Sequence, residues 1–144
     1  MSRRINEAGL ALIEHYEGCK LIAYKCPAGK WTIGYGSTRD VYEGETITQV
    51  EADERLRRDL WDAEGAVSRL VTADLTDNEF SALVSLCFNI GAGNFGNSTL
   101  LHLLNNEQMD RVPNEFLRWD HGGGKLLPGL HLRRMAEAEL FQRA

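Results

Sequence analysis

The chain has 144 residues, 43% hydrophobic and 26% charged, with a formal net charge of −5. This suits one domain, or two small lobes sharing a core, that buries most of its apolar surface without metals or covalent staples. The acidic balance excludes nucleic acid as the main partner, because a phosphate backbone demands a basic face.

Three cysteines, Cys19, Cys26 and Cys87, make a poor disulfide framework and fit a reducing compartment. The N-terminus lacks the apolar core of a signal peptide, and no apolar run approaches the ~18 residues of a membrane span. No signal anchor and no stable membrane insertion are therefore expected. Lys125, Arg133, Arg134 and Arg143 leave room for a local basic patch near the C-terminus.

In chain order, residues 4–17 read as a helix with Ile5, Leu12, Ile13 and Tyr16 as its apolar stripe. Gly18 ends it as a C′ glycine. Residues 20–38 are rich in strand formers, interrupted by Pro27-Ala28-Gly29, and predict a β-hairpin followed by a turn near Gly34–Gly36. Thr48-Gln49-Val50-Glu51 is a capping box that opens a long helix to about Val71, with Val50, Leu56, Leu60, Trp61 and Val67 facing inward. A second box, Thr76-Asp77-Asn78-Glu79, opens an apolar helix, Phe80 to Ile90, expected to be the central core helix. Gly91, Gly93 and Gly96 read as a flexible joint. Ser98 caps a short helix to Leu104, and another runs from Pro113 to Trp119, with proline in its first turn. Gly122-Gly123-Gly124 reads as a loop, and Leu130 to Arg143 as the last helix. The fold class is α+β and mostly helical, with a small N-terminal β lobe and a larger helical lobe.

Glu17 falls where the first helix ends and the hairpin begins. The negative end of the helix macrodipole disfavours a second negative charge there, so the setting favours the protonated form that a general acid needs. A solvated surface glutamate is the plain structural alternative.

The segment from Glu17 to Gly36 resembles the active-site segment of phage-type lysozymes, the lambdoid and T4-like endolysins. That family carries a Glu, an Asp nine residues on, and a Thr six further, the Thr lying in an aromatic-Thr-Ile-Gly-aromatic-Gly stretch. Glu17 and Thr32, within Trp31-Thr32-Ile33-Gly34-Tyr35-Gly36, match. Cys26 stands where Asp is usual, although some lambdoid-type members also have cysteine there. Phe88-Asn89-Ile90-Gly91, Asn97-Ser98-Thr99-Leu100-Leu101, and Gly123 to Leu130 followed by Arg133-Arg134 continue the resemblance to about residue 141.

The resemblance implies a lysozyme-like fold, two lobes separated by a cleft, as a single domain over 1–144. The β lobe would span about 18–47, and the helical lobe 1–17 and 48–144. It implies a muramidase that cuts the β-1,4 bond between N-acetylmuramic acid and N-acetylglucosamine in peptidoglycan glycan strands, and so lyses a host cell. Glu17 would protonate the leaving oxygen, while Cys26 and Thr32 would position or activate water. Asn89 and Tyr35 would meet substrate, and Arg133 or Arg134 would be a charge partner for Glu17. No cofactor or metal is expected. The protein would be a monomer, accumulating in the host cytoplasm and reaching the wall after a holin opens the membrane.

Two mechanisms remain open for Cys26, a partner for water, giving inversion, or a nucleophile on the anomeric carbon, giving retention, and the plain alternative is an inert small hydrophobe. Two others remain open for the chain: a non-catalytic peptidoglycan-binding module of the same fold, and a cysteine-dependent transferase or hydrolase pairing Cys26 with His15. Ser37 replaces the family's usual His. His15, Cys19 and Cys26 match no metal-ligand spacing, and His15 reads as a helix-surface residue. Cys87 reads as core. Trp31, Trp61 and Trp119 could stack sugars, with packing favoured for the last two. His102, His121 and His131 read as surface or loop residues without partners.

Overall fold

A computed structural model describes residues 3–144; the first two residues of the expected helical lobe lie outside the described residues. The chain divides into two compact units, one of residues up to Ile13 and from Asp62 onward, the other Glu14–Trp61. Helix α1, Glu7–Glu17, spans the division.

In the Glu14–Trp61 unit, Gly18 takes a positive φ of 70° and stops α1 as expected. Strand β1 (Lys20–Lys25) pairs antiparallel with β2 (Trp31–Gly34), placing Tyr24 opposite Thr32 and Lys25 opposite Trp31. On its other side β1 is flanked by residues 45–47: Ala23 N–H donates to Glu45 O, and Ile47 N–H to Leu21 O, both at 2.9 Å. Beyond β2 the chain folds back at once. Ile33 and Ser37 exchange two backbone hydrogen bonds of 2.9 Å around Gly34-Tyr35-Gly36, with φ of 65° at Gly34 and 91° at Gly36. Alternation along the strands turns Ala23, Ile33 and Ile47 to one face, where they pack with Ala52 of helix α2 (Gln49–Asp59) as this unit's core.

The predicted long helix is two helices, α2 and α3 (Trp61–Leu70), separated at Leu60. Leu56, Leu60 and Val67 are buried as expected, but Val50 and Trp61 are 64% and 54% exposed. Val50 stands in the first turn, next to the capping residues. The Thr48 box is complete: its hydroxyl accepts from Glu51 N–H, and Glu51 accepts from Thr48 N–H.

The other unit is built around α4 (Asp77–Ile90), capped by the complete Thr76 box. Every residue from Phe80 to Cys87 is buried, and α4 packs most extensively against α8 (Pro128–Gln142). Burial pushes the Cys87 thiol up to about 11, as befits a core residue. The glycine joint is partly ordered as a short helix, α5 (Ala92–Gly96), because its hydrogen bonds close over Gly91, whose φ is 92°. Ser98 caps α6 (Thr99–Asn105), accepting from Leu101 N–H. The 113–119 segment is α7 (Val112–Phe116) running into a 3₁₀ turn, Leu117–Trp119. The three-glycine loop is a second small hairpin, β3 (His121–Gly122) with β4 (Lys125–Leu126). Gly123 and Gly124 supply two successive positive φ angles, 59° and 79°, as a tight hairpin turn requires. Proline at the start of α8 begins that helix two residues before the predicted start.

Three histidine and arginine expectations change. His121 and His131 both face Asp120 through Nδ1, at 2.5 and 2.9 Å, and Asp120 is 4% exposed. The His131 hydrogen bond, with help from His121, holds the Asp120 carboxyl below the usual range. Arg133 and Arg134 are buried, and Arg143 pairs with Glu139, so these three do not form the anticipated open basic patch.

Candidate active site

Residues Cys26–Lys30 join β1 to β2. Cys26 N–H donates to Lys30 O at 2.9 Å, and Gly29 N–H donates to Cys26 O at 2.8 Å. Pro27 has no N–H to give. The remaining amides, those of Lys30 and Ala28, donate toward the Cys26 sulfur, as does the Thr32 side chain. These bonds favour the thiolate and hold the thiol below its ordinary value, the Lys30 amide contributing most. Gly29, at φ 81°, permits the turn.

Thr32 is 3% exposed, and its hydroxyl also donates to Lys30 O at 3.0 Å. One proton cannot serve both acceptors at once. The hydrogen bond it makes is the one to the Lys30 carbonyl.

Glu17 closes α1 beside the Gly34–Gly36 turn. A Cβ added at Gly36 would stand 3.7 Å from Glu17 Oε1. Glu17, Cys26 and Thr32 thus belong to one compact unit, with Cys26 and Thr32 both bonded to the Lys30 carbonyl.

The other predicted site residues are placed as follows. Tyr35 is half-buried against the Ile33–Ile47–Ala52 core, and its hydroxyl accepts from Gln49 Nε2 at 3.0 Å. It belongs to a polar cluster that sequence reasoning missed. Gln49 Nε2 also donates to Asp53 at 3.0 Å, and Asp53 is near enough to Glu14 for its charge to act there. Burial, then the Asp53 charge, raises the Glu14 pKa; burial pushes Tyr35 up to about 12.

Asn89 is exposed in the last turn of α4. Arg133 and Arg134 each reach Glu137, at 3.2 and 2.8 Å, and Glu137 also accepts from the Ser85 hydroxyl. Glu137, wholly buried, is the second missed residue. Its i+4 and i+3 spacing from the two arginines was the available signal. Ser37, where the family usually has His, is 2% exposed, with no hydrogen-bond partner for its hydroxyl among the described residues. His15 is exposed and lies edge-on to Tyr16.

Among the described residues no helix is long and apolar enough to cross a membrane. Chemically, the hairpin end offers a thiolate-favouring sulfur and a buried hydroxyl, and α1 ends in a carboxyl group in the same unit.

The family model for phage lysozyme matches residues 14–137. An endolysin of Acyrthosiphon pisum secondary endosymbiont phage 1 is 42% identical, over 97% of this chain and 99% of its own. The muramidase domain of SpmX from Asticaccaulis excentricus superposes with a TM-score of 0.92 at 39% identity, covering 99% of this chain and all of that one. A mutant lysozyme of phage P22 gives a TM-score of 0.92 at 36% identity, over 98% of this chain and 99% of that one. Hairpin, capped helices and spacing of Glu17, Cys26 and Thr32 therefore sit in a chain that belongs to the phage lysozyme family, glycoside hydrolases that act on peptidoglycan.

Proposed function

We propose that the chain is an endolysin muramidase, a single lysozyme domain that hydrolyses the β-1,4 bond between N-acetylmuramic acid and N-acetylglucosamine. Glu17, protonated, gives its proton to the glycosidic oxygen as the C1–O bond breaks, and that oxygen leaves as the N-acetylglucosamine 4-hydroxyl. Water forms the new bond to C1 and yields a proton to the Cys26 thiolate, while Thr32 orients it. Solvent then returns Glu17 to the acid and Cys26 to the thiolate. Asn89 meets the glycan. The protein works as a monomer and reaches the wall after a holin opens the membrane.

The observation that carries this reading is the shared Lys30 carbonyl, which accepts from both the Cys26 amide at 2.9 Å and the Thr32 hydroxyl at 3.0 Å and so holds the two residues together at the hairpin end. Hydrogen bonds from the Lys30 and Ala28 backbone lower the thiol's pKa, in the direction a base for water needs. The same support would serve a thiolate attacking C1, the retaining route.

The test is reducing-end release from purified peptidoglycan by wild type, Glu17→Gln and Cys26→Ala, with the anomer of the first product read by NMR. Loss of release in both variants and an initial α-anomer are expected. An initial β-anomer replaces water attack by sulfur attack. Glu17→Gln as active as wild type sinks the proposal and leaves a binding module.

A further inference from the structure

The aromatic side chain that sequence reading assigned to substrate, Tyr35, has its hydroxyl bound by Gln49 and its ring against the core. Other aromatics of the Glu14–Trp61 unit are also engaged or lie off the sheet. The Lys25 ammonium stands 5.4 Å from the Trp31 ring centroid, Tyr16 packs against His15, and Tyr42 lies in the loop that follows the Gly34–Gly36 turn. Tyr24 is different. It is the Cα partner of Thr32 in the β1–β2 register, so the two side chains leave the sheet on the same face. Cys26 follows two residues later, which continues that face. Ala23, on the opposite face, packs into the core. On the Tyr24 side Thr32 is covered, while Tyr24 is 38% exposed and Ile22 65% exposed. The Tyr24 hydroxyl has no hydrogen-bond partner among the described residues.

A half-exposed ring with a free hydroxyl suits one ligand chemistry well. A pyranose presents an apolar face of axial C–H groups and a rim of hydroxyls. A tyrosine offers a flat apolar surface for the first and a donor for the second. We propose that Tyr24 is a substrate-positioning residue, the platform on which a sugar ring of the glycan adjoining the cleaved bond rests. The inference rests on the reading of Cys26 and Thr32 as the pair that handles water, because Tyr24 gains its meaning from sharing their face.

The experiment measures reducing-end release against the concentration of purified peptidoglycan for wild type, Tyr24→Ala, Tyr24→Leu, Tyr24→Phe and Tyr24→Trp, with thermal unfolding of each. Tyr24→Leu keeps apolar bulk without an aromatic face, so it stands in if Tyr24→Ala fails to fold. Alanine and leucine should each raise KM about tenfold while kcat moves far less. Phenylalanine and tryptophan should recover most of the loss. Sedimentation with sacculi, in a Glu17→Gln background that does not turn over, should show the same order of binding.

An unchanged KM in Tyr24→Ala overturns the proposal. So does a wild-type KM in Tyr24→Leu, or a loss of kcat and melting temperature together without a KM effect, which marks a structural residue. Each of these leaves the muramidase reading intact. A wild-type protein that releases no reducing ends, or a Glu17→Gln variant that releases as many, removes that reading and this proposal with it.

Discussion

Cys26 and Lys30 are bonded in both directions: the Cys26 amide donates to the Lys30 carbonyl at 2.9 Å, and the Lys30 amide donates toward the Cys26 sulfur. The turn's backbone amides thus lower the pKa of the thiol. Swapping side chains at 28 or 30 leaves the donors in place, whereas the sulfur itself is the variable part.

The first prediction concerns that sulfur. Its lowered pKa means the thiolate fraction rises with pH and levels off earlier than for a free cysteine, whose midpoint is about 8.5. Site-resolved mass spectrometry after iodoacetamide pulses should show Cys26 labelling with a lower midpoint in the native than in the unfolded protein, while buried Cys87 stays unlabelled in the native protein. Cys26→Ala should lower activity by about a hundredfold or more. Cys26→Asp should retain much of it, since the amides that receive a thiolate also receive a carboxylate.

Gly36→Ala tests the turn beside Glu17. Space is not the obstacle, because the new Cβ would meet Glu17 Oε1 only at ordinary contact, 3.7 Å. The obstacle is φ at 91°, which an L side chain rarely adopts. Strain of about 1–2 kcal/mol should appear in urea unfolding. Turnover should fall further than stability explains, by about tenfold or more, because relief of the strain moves the carboxyl group.

At Gly9 two effects oppose each other. Alanine in a helix interior gains about 1 kcal/mol over glycine. Here its Cβ would lie 2.7 Å from Ser81 Cβ and 2.8 Å from Ile5 Cγ1, so α1 and α4 approach too closely at this point to accept it. Overpacking costs about 1–3 kcal/mol and should win. Calorimetry of Gly9→Ala should show a lower melting temperature; a rise would mean the helices separate freely.

Glu137→Ala removes the carboxylate that two buried guanidinium groups share. Breaking a buried ion pair from one side destabilises by about 3–5 kcal/mol. Ser85→Ala, which removes only a hydroxyl donor to the same carboxylate, should lose about 1–2 kcal/mol. Denaturant midpoints of the two variants give the comparison, and equal losses would contradict this view of the cluster.

Much of the fold is written locally. The Thr48 and Thr76 boxes fix two helix starts, and Gly18 fixes an end, because caps and positive-φ glycines act within a few residues. The separation of α2 from α3 at Leu60 had no such mark: Leu60 is an apolar helix former, fully buried, without a neighbouring proline or glycine. Val50 and Trp61 were misplaced because apolar identity was read as burial, and surfaces keep many apolar groups.

The candidate acid, thiol and hydroxyl came from spacing and resemblance. What surrounds the thiol did not. That Ala28 and Lys30 amides reach the sulfur follows from which donors the turn leaves over, and only coordinates count those. Asp120 between two histidines was hidden for a related reason, since His131 reaches it from the start of a different element, eleven residues on.

The unit that contains α4 is made from two separated stretches of chain, and this sets an order of events at the ribosome. Ile5 N–H is held by Glu64 at 2.7 Å, Arg4 pairs with the same carboxylate, and Asn6 N–H is held by Ser81 at 2.9 Å. Arg4, Ile5 and Asn6 therefore cannot dock when they are made. They wait while the whole Glu14–Trp61 segment is synthesised, and then until Ser81 has emerged. Stalled nascent chains ending soon after residue 61 should be cut by protease within residues 3–13, and chains long enough to expose α4 should be protected there. Early clipping that persists in the longer chains would mean the docking also needs α8.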